Sequence, residues 1–192
     1  YLDGVNSWGG HLSCANAEWF EMNFPILYLF RRHTRDGAGA GKFRGGAGAE
    51  TAHILHDAPE GKVKGITYGV SSARNSGQGI FGGRSGASSV VIHLENTHVL
   101  DMIKNKRPIE EISDVGGEPA QLAYKEFEFK VNDVLYMRLA NGGGYGDPVE
   151  RDPQLVLKDV IDGLVSKQAA QEIYGVVLKQ NDQAIDLTAT EN

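Results

Sequence analysis

Short runs of alternating or β-branched residues fill the first two thirds of the chain, and this pattern predicts strands. Turns rich in glycine separate the runs. The runs are Ile26 to Phe30, Ala49 to His56, Lys62 to Val70, Ser88 to Leu94, and Phe127 to Arg138 with an interruption at Asp133. The pattern predicts a β-rich part that covers residues 1–150, without any internal repeat.

From Asp152 the spacing of apolar residues becomes helical. Asp152 can cap a helix that has Pro153 at its first position. Ser166 can cap a second helix, and Gly175 can end it. The apolar positions of the two predicted helices are Leu155, Val156, Val160, Leu164, Ala169, Ala170, Ile173 and Tyr174. The fold class predicted is therefore α+β: a β-rich module with glycine-rich loops, followed over residues 151–192 by a helical hairpin and tail.

Glycine occurs 25 times in 192 residues, about twice its average frequency of roughly 7%. It is concentrated at 36–46, 76–83 and 141–148, with no collagen-like period and no enrichment in proline. Glycine is required where φ is positive or where another backbone comes close. The clusters therefore predict fixed loops rather than disordered segments.

Composition excludes several classes of protein. A formal net charge of −6 without a concentrated basic segment argues against nucleic-acid binding. No apolar run approaches the length of a membrane span, and no signal peptide is visible. Cys14 is the single cysteine, so the chain cannot form an internal disulfide. These features predict a cytoplasmic globular protein with no membrane partner.

Two glycine clusters resemble nucleotide-binding motifs but lack their context. Lys42 follows a glycine run, yet Asp36 occupies the place of the first P-loop glycine and Phe43 the place of Ser or Thr. Residues 77–82 match the letters of a dinucleotide fingerprint, but residues 83–86 continue a loop and cannot begin a stable helix. The sequence therefore predicts no nucleotide site in this chain.

Histidine and cysteine are the remaining candidates for chemistry. His53 and His56 lie three apart in a predicted strand, so they point to opposite faces and cannot share a metal ion. One buried and one exposed histidine are expected. His11 lies in a polar stretch and is a candidate functional group. Cys14 has no flanking motif that would activate it, so a neutral cysteine is favoured.

The order and spacing of several segments resemble the C-terminal part of the hydantoinase B/oxoprolinase family. These segments are 24–27, 36–46, 141–148, 150–153, 159–166 and 173–178. Within the family, residues 24–32 and 77–83 favour the branch of acetophenone and acetone carboxylases. The resemblance implies a subunit of an ATP-dependent ketone carboxylase, or alternatively of a cyclic amide hydrolase such as 5-oxoprolinase or hydantoinase. A non-catalytic scaffold portion of either enzyme is a further alternative.

The resemblance also implies cofactors and partners. ATP with Mg or Mn would bind outside this chain, on a nucleotide-binding subunit of the hydantoinase A type. A divalent metal would lie in the N-terminal half of the subunit, which this chain does not contain. Because the chain begins at Tyr1, we expect a C-terminal portion of a longer subunit, inactive by itself. A small self-standing subunit is the alternative.

Polar residues beside the glycine clusters are the candidates for orienting a substrate or forming an interface. No catalytic residue and no metal ligand can be assigned. The candidates are His11, Asn16, Glu18, Asp36, Lys42, Arg44, Asn141, Gly143 and Asp147. The structural alternative is that Asp36 and Asp147 cap turns while Lys42 and Arg44 pair with carboxylates.

Overall fold

An antiparallel sheet of five strands and a separate two-stranded ribbon form the β part of the molecule. The computed structural model describes residues 16–67, 77–123, 125–179 and 184–190. The strands are β1 (Ile26–His33), β2 (Ala49–Leu55), β3 (Lys62–Thr67), β4 (Val90–Glu95), β5 (Glu118–Gln121), β6 (Lys125–Lys130) and β7 (Val134–Arg138). The five-stranded sheet has the order β1-β2-β7-β4-β5, and the ribbon pairs β3 with β6. The α+β class is confirmed.

Five helices and two short 3₁₀ helices accompany the sheets in the described residues. They are α1 (Ala17–Asn23), α2 (Val99–Lys104), α3 (Pro153–Ile161), α4 (Lys167–Tyr174), α5 (Leu187–Thr190), and the 3₁₀ helices Ile112–Val115 and Pro148–Glu150. The prediction that helices follow only after the strands is wrong, because α1 and α2 lie within the β-rich part. Both are too short for a helical period to emerge from the sequence.

The predicted strands are largely confirmed, with changes at their ends. The run 127–138 forms two strands, β6 and β7, which a turn with Asn132 at φ 71° connects. The predicted extension of β3 to Val70 lies outside the described residues. The sequence analysis missed β5, whose polar and proline-containing residues show no alternation; its partner is β4.

One face of the sheet packs against α2 and the 3₁₀ helix that follows it. This core consists of Ala52, Ile54, Leu94, Val99, Met102, Val115, Val134 and Tyr136. The inward residues of β2 and β7 alternate with residues of the opposite face, as expected for a sheet. Side chains from different strands therefore fill the space between the sheet and α2.

A second core lies under the helical hairpin, and its caps confirm the prediction. The side chain of Asp152 accepts a hydrogen bond from the N–H of Gln154, and Ser166 accepts one from Ala169. Gly175 ends α4 in the left-handed conformation. The core residues are Ala40, Val156, Leu157, Val165, Ala169, Ala170, Tyr174, Val176 and Ile185.

One detail of the hairpin differs from the prediction. Leu164 lies beyond α3, which ends at Ile161, although Leu164 is still buried. A bridge between Leu178 and Ile185 and the short helix α5 follow the hairpin. Contacts of Ala40 with this core join the β-rich part to the hairpin. The division of the chain into domains at residue 150 stays a prediction.

Candidate functional site

Three glycine-rich segments lie side by side in a layer that we call the glycine bundle: residues 36–48, 77–87 and 139–147. Backbone hydrogen bonds connect them directly. The N–H of Gly39 donates to the Gly142 carbonyl at 2.8 Å, and the N–H of Gly77 donates to the Asn141 carbonyl at 3.0 Å. The three sequence clusters, separated along the chain, therefore form one structural unit.

The backbones of the bundle approach so closely that side chains are excluded between them. A Cβ added to Gly143 would lie 2.0 Å from the carbonyl oxygen of Gln78. A Cβ on Gly144 would lie 2.0 Å from the carbonyl oxygen of Ala40. Neither glycine has a positive φ. Close backbone approach, one of the two reasons expected for these glycines, is therefore the one that applies.

Asn141 connects the ends of the bundle through its buried side chain. Its Oδ1 accepts a hydrogen bond from the N–H of Gly48 at 2.7 Å. Its Nδ2 donates to the carbonyls of Ala87 and Leu139 at 3.3 and 3.0 Å. A buried amide with these bonds holds backbone groups that would otherwise lack partners. Asn141 therefore positions the bundle rather than facing solvent.

Arg44 and Arg151 share one buried carboxylate, that of Asp159 in α3. Arg44 Nε lies 3.1 Å and Arg151 Nη2 lies 2.8 Å from Asp159 Oδ2. All three side chains are at least nine-tenths buried. Arg44 also donates to the carbonyl of Gly45 at 2.7 Å. This cluster attaches the glycine bundle to the helical hairpin by charge-assisted hydrogen bonds.

Asp36 forms a second connection between the bundle and the hairpin. Its Oδ1 accepts a hydrogen bond from the N–H of Ser166 at 2.8 Å. Its own N–H donates to the carbonyl of Leu164 at 3.0 Å. Asp36 has φ 55°, a conformation that aspartate tolerates better than most residues. Its carboxylate therefore holds the start of α4 in place.

Lys42 and Asp147 have the local contacts expected from the structural alternative. Lys42 Nζ lies 3.0 Å from Glu150 Oε2, and both side chains are about half exposed. Asp147 caps the 3₁₀ helix Pro148–Glu150 by accepting a hydrogen bond from the N–H of Val149 at 3.0 Å.

Of the candidates near the start of the chain, the structure describes two. Asn16 caps α1 by accepting a hydrogen bond from the N–H of Glu18 at 3.3 Å, and Glu18 is exposed. His11 and Cys14 lie outside the described residues. Asn16 and Glu18 belong to α1, whereas Asp36, Lys42, Arg44, Asn141, Gly143 and Asp147 come together in or beside the glycine bundle.

An exposed group of apolar side chains, which we call the aromatic patch, lies on the glycine bundle. It consists of Phe43, Ile80, Phe81 and Tyr145. The ring of Tyr145 lies 6.1 Å from that of Phe43 and 5.3 Å from that of Phe81. Phe81 is 77% exposed with φ 52°, a strained conformation for a bulky residue. Exposed aromatic groups of this size are typical of contact surfaces.

A further aromatic cluster surrounds α1. Trp19 and Phe24 are about half exposed, and the ring of Phe20 lies 5.5 Å from Trp19 and 5.6 Å from Phe24. Tyr28 continues the cluster and contacts the ring of His53 at 4.3 Å.

The two histidines of β2 and its end behave as predicted. His53 is buried, and burial lowers its pKa. His56 is exposed beyond the end of β2 and lies 3.4 Å from Asp57.

Within the residues that the structure describes, no group of three or more His, Cys, Asp or Glu side chains could hold a metal ion. The same residues contain no helix that is long and apolar enough to cross a membrane.

The sequence analysis did not identify the buried ionic groups. His93 Nε2 lies 2.9 Å from Asp133 Oδ2, and Tyr136 donates a hydrogen bond to Glu50 at 2.7 Å. Burial, followed by this hydrogen bond, raises the pKa of Tyr136. The sequence signal for a buried ionic group was a charged residue at an inward position of a strand, such as Glu50 in β2.

Comparison with characterised proteins finds three relatives that this chain matches over nearly its whole length. It is 29% identical to the acetophenone carboxylase delta subunit of Aromatoleum aromaticum, covering 91% of this chain and 27% of that protein. It is 28% identical to the acetone carboxylase alpha subunit of Xanthobacter autotrophicus, covering 90% of this chain and 24% of that protein. It is 30% identical to the caprolactamase subunit beta of Pseudomonas jessenii, covering 94% of this chain and 28% of that protein.

The solved structure of nucleotide-free acetone carboxylase has the same fold. Its TM-score is 0.72 at 23% identity, over 92% of this chain and 25% of that chain. The chain spans about a quarter of the length of its carboxylase relatives. Residues 2–148, which contain the sheet and the glycine bundle, match the family described as Hydantoinase B/oxoprolinase. The chain therefore belongs to the hydantoinase B/oxoprolinase family.

Proposed function

We propose that this chain is part of a subunit of an ATP-dependent ketone carboxylase of the acetophenone or acetone type. The observation that carries the proposal is the similarity to two such subunits over 91% and 90% of the chain. In this chemistry ATP activates bicarbonate and substrate by phosphorylation. An enolate-type carbon of the ketone then attacks the activated carboxyl species.

Within that enzyme, we infer that the chain supplies a rigid support and contact surface rather than the reacting groups. Arg44, Asn141, Asp36 and Asp147 all bind protein groups. The glycine bundle places its backbone under tight steric constraint and presents the aromatic patch on its surface. Phosphorylated intermediates must be shielded from bulk water, and rigid loops with apolar side chains suit that task.

The proposal assigns nucleotide and metal to other parts of the enzyme. ATP with Mg or Mn would be held by a partner subunit of the hydantoinase A type. The divalent metal would be held by the remainder of this chain's own subunit. Among the described residues, no group of three or more His, Cys, Asp or Glu side chains could hold that metal. We propose a cytoplasmic hetero-oligomer.

The alternative is a subunit of a cyclic amide hydrolase, in which ATP phosphorylates an amide oxygen before water opens the ring. The similarity to a caprolactamase subunit, at 30% identity over 94% of the chain, favours it. The described residues share a fold with an acetone carboxylase and with a caprolactamase, at TM-scores of 0.72 and 0.61. Activity measurements must therefore decide between them.

The experiment uses the complex purified with all its subunits. ATP-dependent fixation of labelled bicarbonate is measured with acetophenone and with acetone, and ATP-dependent ring opening is measured with caprolactam and 5-oxoproline. We expect bicarbonate fixation that requires a ketone. If ring opening occurs without ketone-dependent fixation, the alternative replaces the proposal. If neither activity is found, both functions are overturned.

A separate measurement tests the assignment of ATP. Calorimetric titration of this chain alone with Mg-ATP should show no binding, because neither glycine motif has the context of a nucleotide site. Residues 36–46 belong to the glycine bundle, and the next element along the chain is the strand β2, not a helix. Micromolar affinity of the isolated chain would contradict the assignment of ATP to the partner.

A further inference from the structure

A cleft of about 350 Å³ opens on the side of the molecule where β1 meets the turn between α3 and α4. Its lining residues are Arg32, His33, Arg35, Asp162 and Gly163. The volume lies in the range of sites for small molecules. The cleft lies outside the aromatic patch, and none of its residues was a candidate in the sequence. We propose that it binds a small oxyanion, carboxylate or phosphate, that also carries a hydrogen-bond donor.

Arg32 forms a fixed wall of the cleft. Its Nε lies 2.6 Å from Glu50 Oε1, and its Nη2 lies 3.3 Å from Glu111 Oε2. Its Nη1 donates to the carbonyl of Glu110 at 2.6 Å, and its guanidinium lies over the ring of Phe30. With these contacts Arg32 shapes the cleft but has little capacity left for a ligand.

Arg35 is the group available to an anion. Among the described residues its one ion pair is with Glu111, at 3.9 Å, which is too long for a hydrogen bond. Its side chain is 58% exposed. A guanidinium presents a planar fork of N–H donors that matches carboxylate and phosphate oxygens. Arg35 therefore has the chemistry and the freedom to bind an oxyanion.

His33 adds a second donor on the same wall. It is exposed, and its imidazole forms no hydrogen bond with another residue in the part of the chain that the structure describes. An imidazole N–H can donate to an anionic oxygen. His33 and Arg35 are two residues apart at the end of β1, where both line the cleft.

The opposite wall selects the second feature of the ligand. Asp162 lines the cleft and forms an i,i+4 ion pair with Lys158. A carboxylate has more acceptor sites than one ion pair occupies, so Asp162 can accept a hydrogen bond from a hydroxyl or ammonium group. Nothing lies within 4 Å of a Cβ built on Gly163, so the wall beside Asp162 is open. A ligand with an oxyanion at one end and a donor at the other fits both walls.

The test measures binding to the full chain, purified with its subunits, by isothermal titration calorimetry. The probes are 3-hydroxybutyrate, butyrate, butane-1,3-diol and inorganic phosphate. We expect 3-hydroxybutyrate to bind more tightly than butyrate, which lacks the hydroxyl, and butane-1,3-diol not to bind. If inorganic phosphate binds and 3-hydroxybutyrate does not, the ligand is a phosphate compound, and its organic part must then supply the donor.

Two variants assign the binding to this cleft. Arg35→Ala should weaken binding of the oxyanion by about tenfold to a hundredfold, the range for losing hydrogen bonds to a charged group. The control Arg107→Ala removes an exposed arginine outside the cleft and should leave affinity unchanged. Equal affinity in both variants, or no binding of any oxyanion at millimolar concentration, would overturn the proposal.

A third variant keeps the test independent of Arg35. Asp162→Asn removes a negative charge from the cleft and should strengthen binding of butyrate or phosphate, since the carboxylate repels them. Because this binding is measured without turnover, its failure is distinct from failure of the carboxylase proposal. Unchanged affinity for plain anions in Asp162→Asn would show that Asp162 does not face the bound anion.

Discussion

The five-stranded sheet and the glycine bundle lie in the same molecule but are held together in different ways. In the sheet, backbone hydrogen bonds join the strands, and a layer of side chains such as Ile54 and Val134 fills the space beneath them. In the bundle, backbone contacts backbone directly, as Gly143 shows at Gln78. The sheet can adjust a side chain after a substitution. The bundle has no side-chain layer that could move.

The largest expected effect comes from adding one side chain to the bundle. Gly143→Val places atoms within 2.0 to 2.8 Å of the carbonyls of Gln78 and Gly77, so the segments must separate. We expect a loss of more than about 3 kcal/mol in the free energy of unfolding. Turnover of the complex should fall while the capped helices α3 and α4 remain folded. Denaturant unfolding, steady-state kinetics and circular dichroism provide the measurements.

The matched controls for this prediction are one glycine and one core residue outside the bundle. Gly163 has φ 75° with open space around it, so Gly163→Ala should cost only about 1 kcal/mol of backbone strain. Ile54→Val in the sheet core should cost about 1 kcal/mol. If Gly143→Val lowers the free energy of unfolding no more than these controls do, close approach of backbone segments does not distinguish the bundle from the sheet.

The next largest effect concerns the connection between the bundle and the hairpin. Asp159→Asn removes the buried charge that Arg44 and Arg151 share. Breaking a buried ion pair from one side costs about 3 kcal/mol or more, because the remaining charges lose their partner. Unfolding in denaturant measures the loss. An unchanged midpoint would mean that the side chains rearrange to reach water and that the cluster does not hold the two parts together.

A smaller effect should appear in the sheet as pH falls. Burial lowers the pKa of His53 in the folded chain below its usual value of 6.5. The neutral imidazole therefore contributes stability that is fully present above about pH 6.5 and is lost as pH falls through the lowered pKa of the folded state. Chemical unfolding from pH 7.5 to 5 should show this decline. His53→Phe should show a weaker decline, and identical pH dependence would contradict the assignment.

The smallest expected effect is at the exposed edge of the bundle. Lys42 and Glu150 form a solvent-exposed pair at 3.0 Å, and such pairs contribute about 0 to 1 kcal/mol. Lys42→Ala should therefore change the unfolding midpoint little, although it lies in the same segment as Arg44. A loss of turnover without a loss of stability would instead support a direct role of Lys42 in binding a substrate or partner.

Local patterns were sufficient to predict the strands and the hairpin caps. Asp152, Ser166 and Gly175 act on residues two to five positions away, so their neighbours in sequence are their partners in space. The alternation of β2 predicted that His53 and His56 would differ in exposure, and they do. The structural alternative for Asp36, Lys42, Arg44 and Asp147, turn capping and pairing with carboxylates, agrees with their contacts. Any role of these residues in substrate binding stays a prediction.

What the sequence alone determined was the α+β class, the glycine clusters as fixed segments and the resemblance to a family. Which glycines contact each other, and which carboxylate neutralises Arg44, depended on the tertiary structure. Asp159 is 115 positions from Arg44, and Asp133 is 40 positions from His93. Composition and spacing cannot identify such partners. Burial and close packing, which arise only when distant segments meet, decide them.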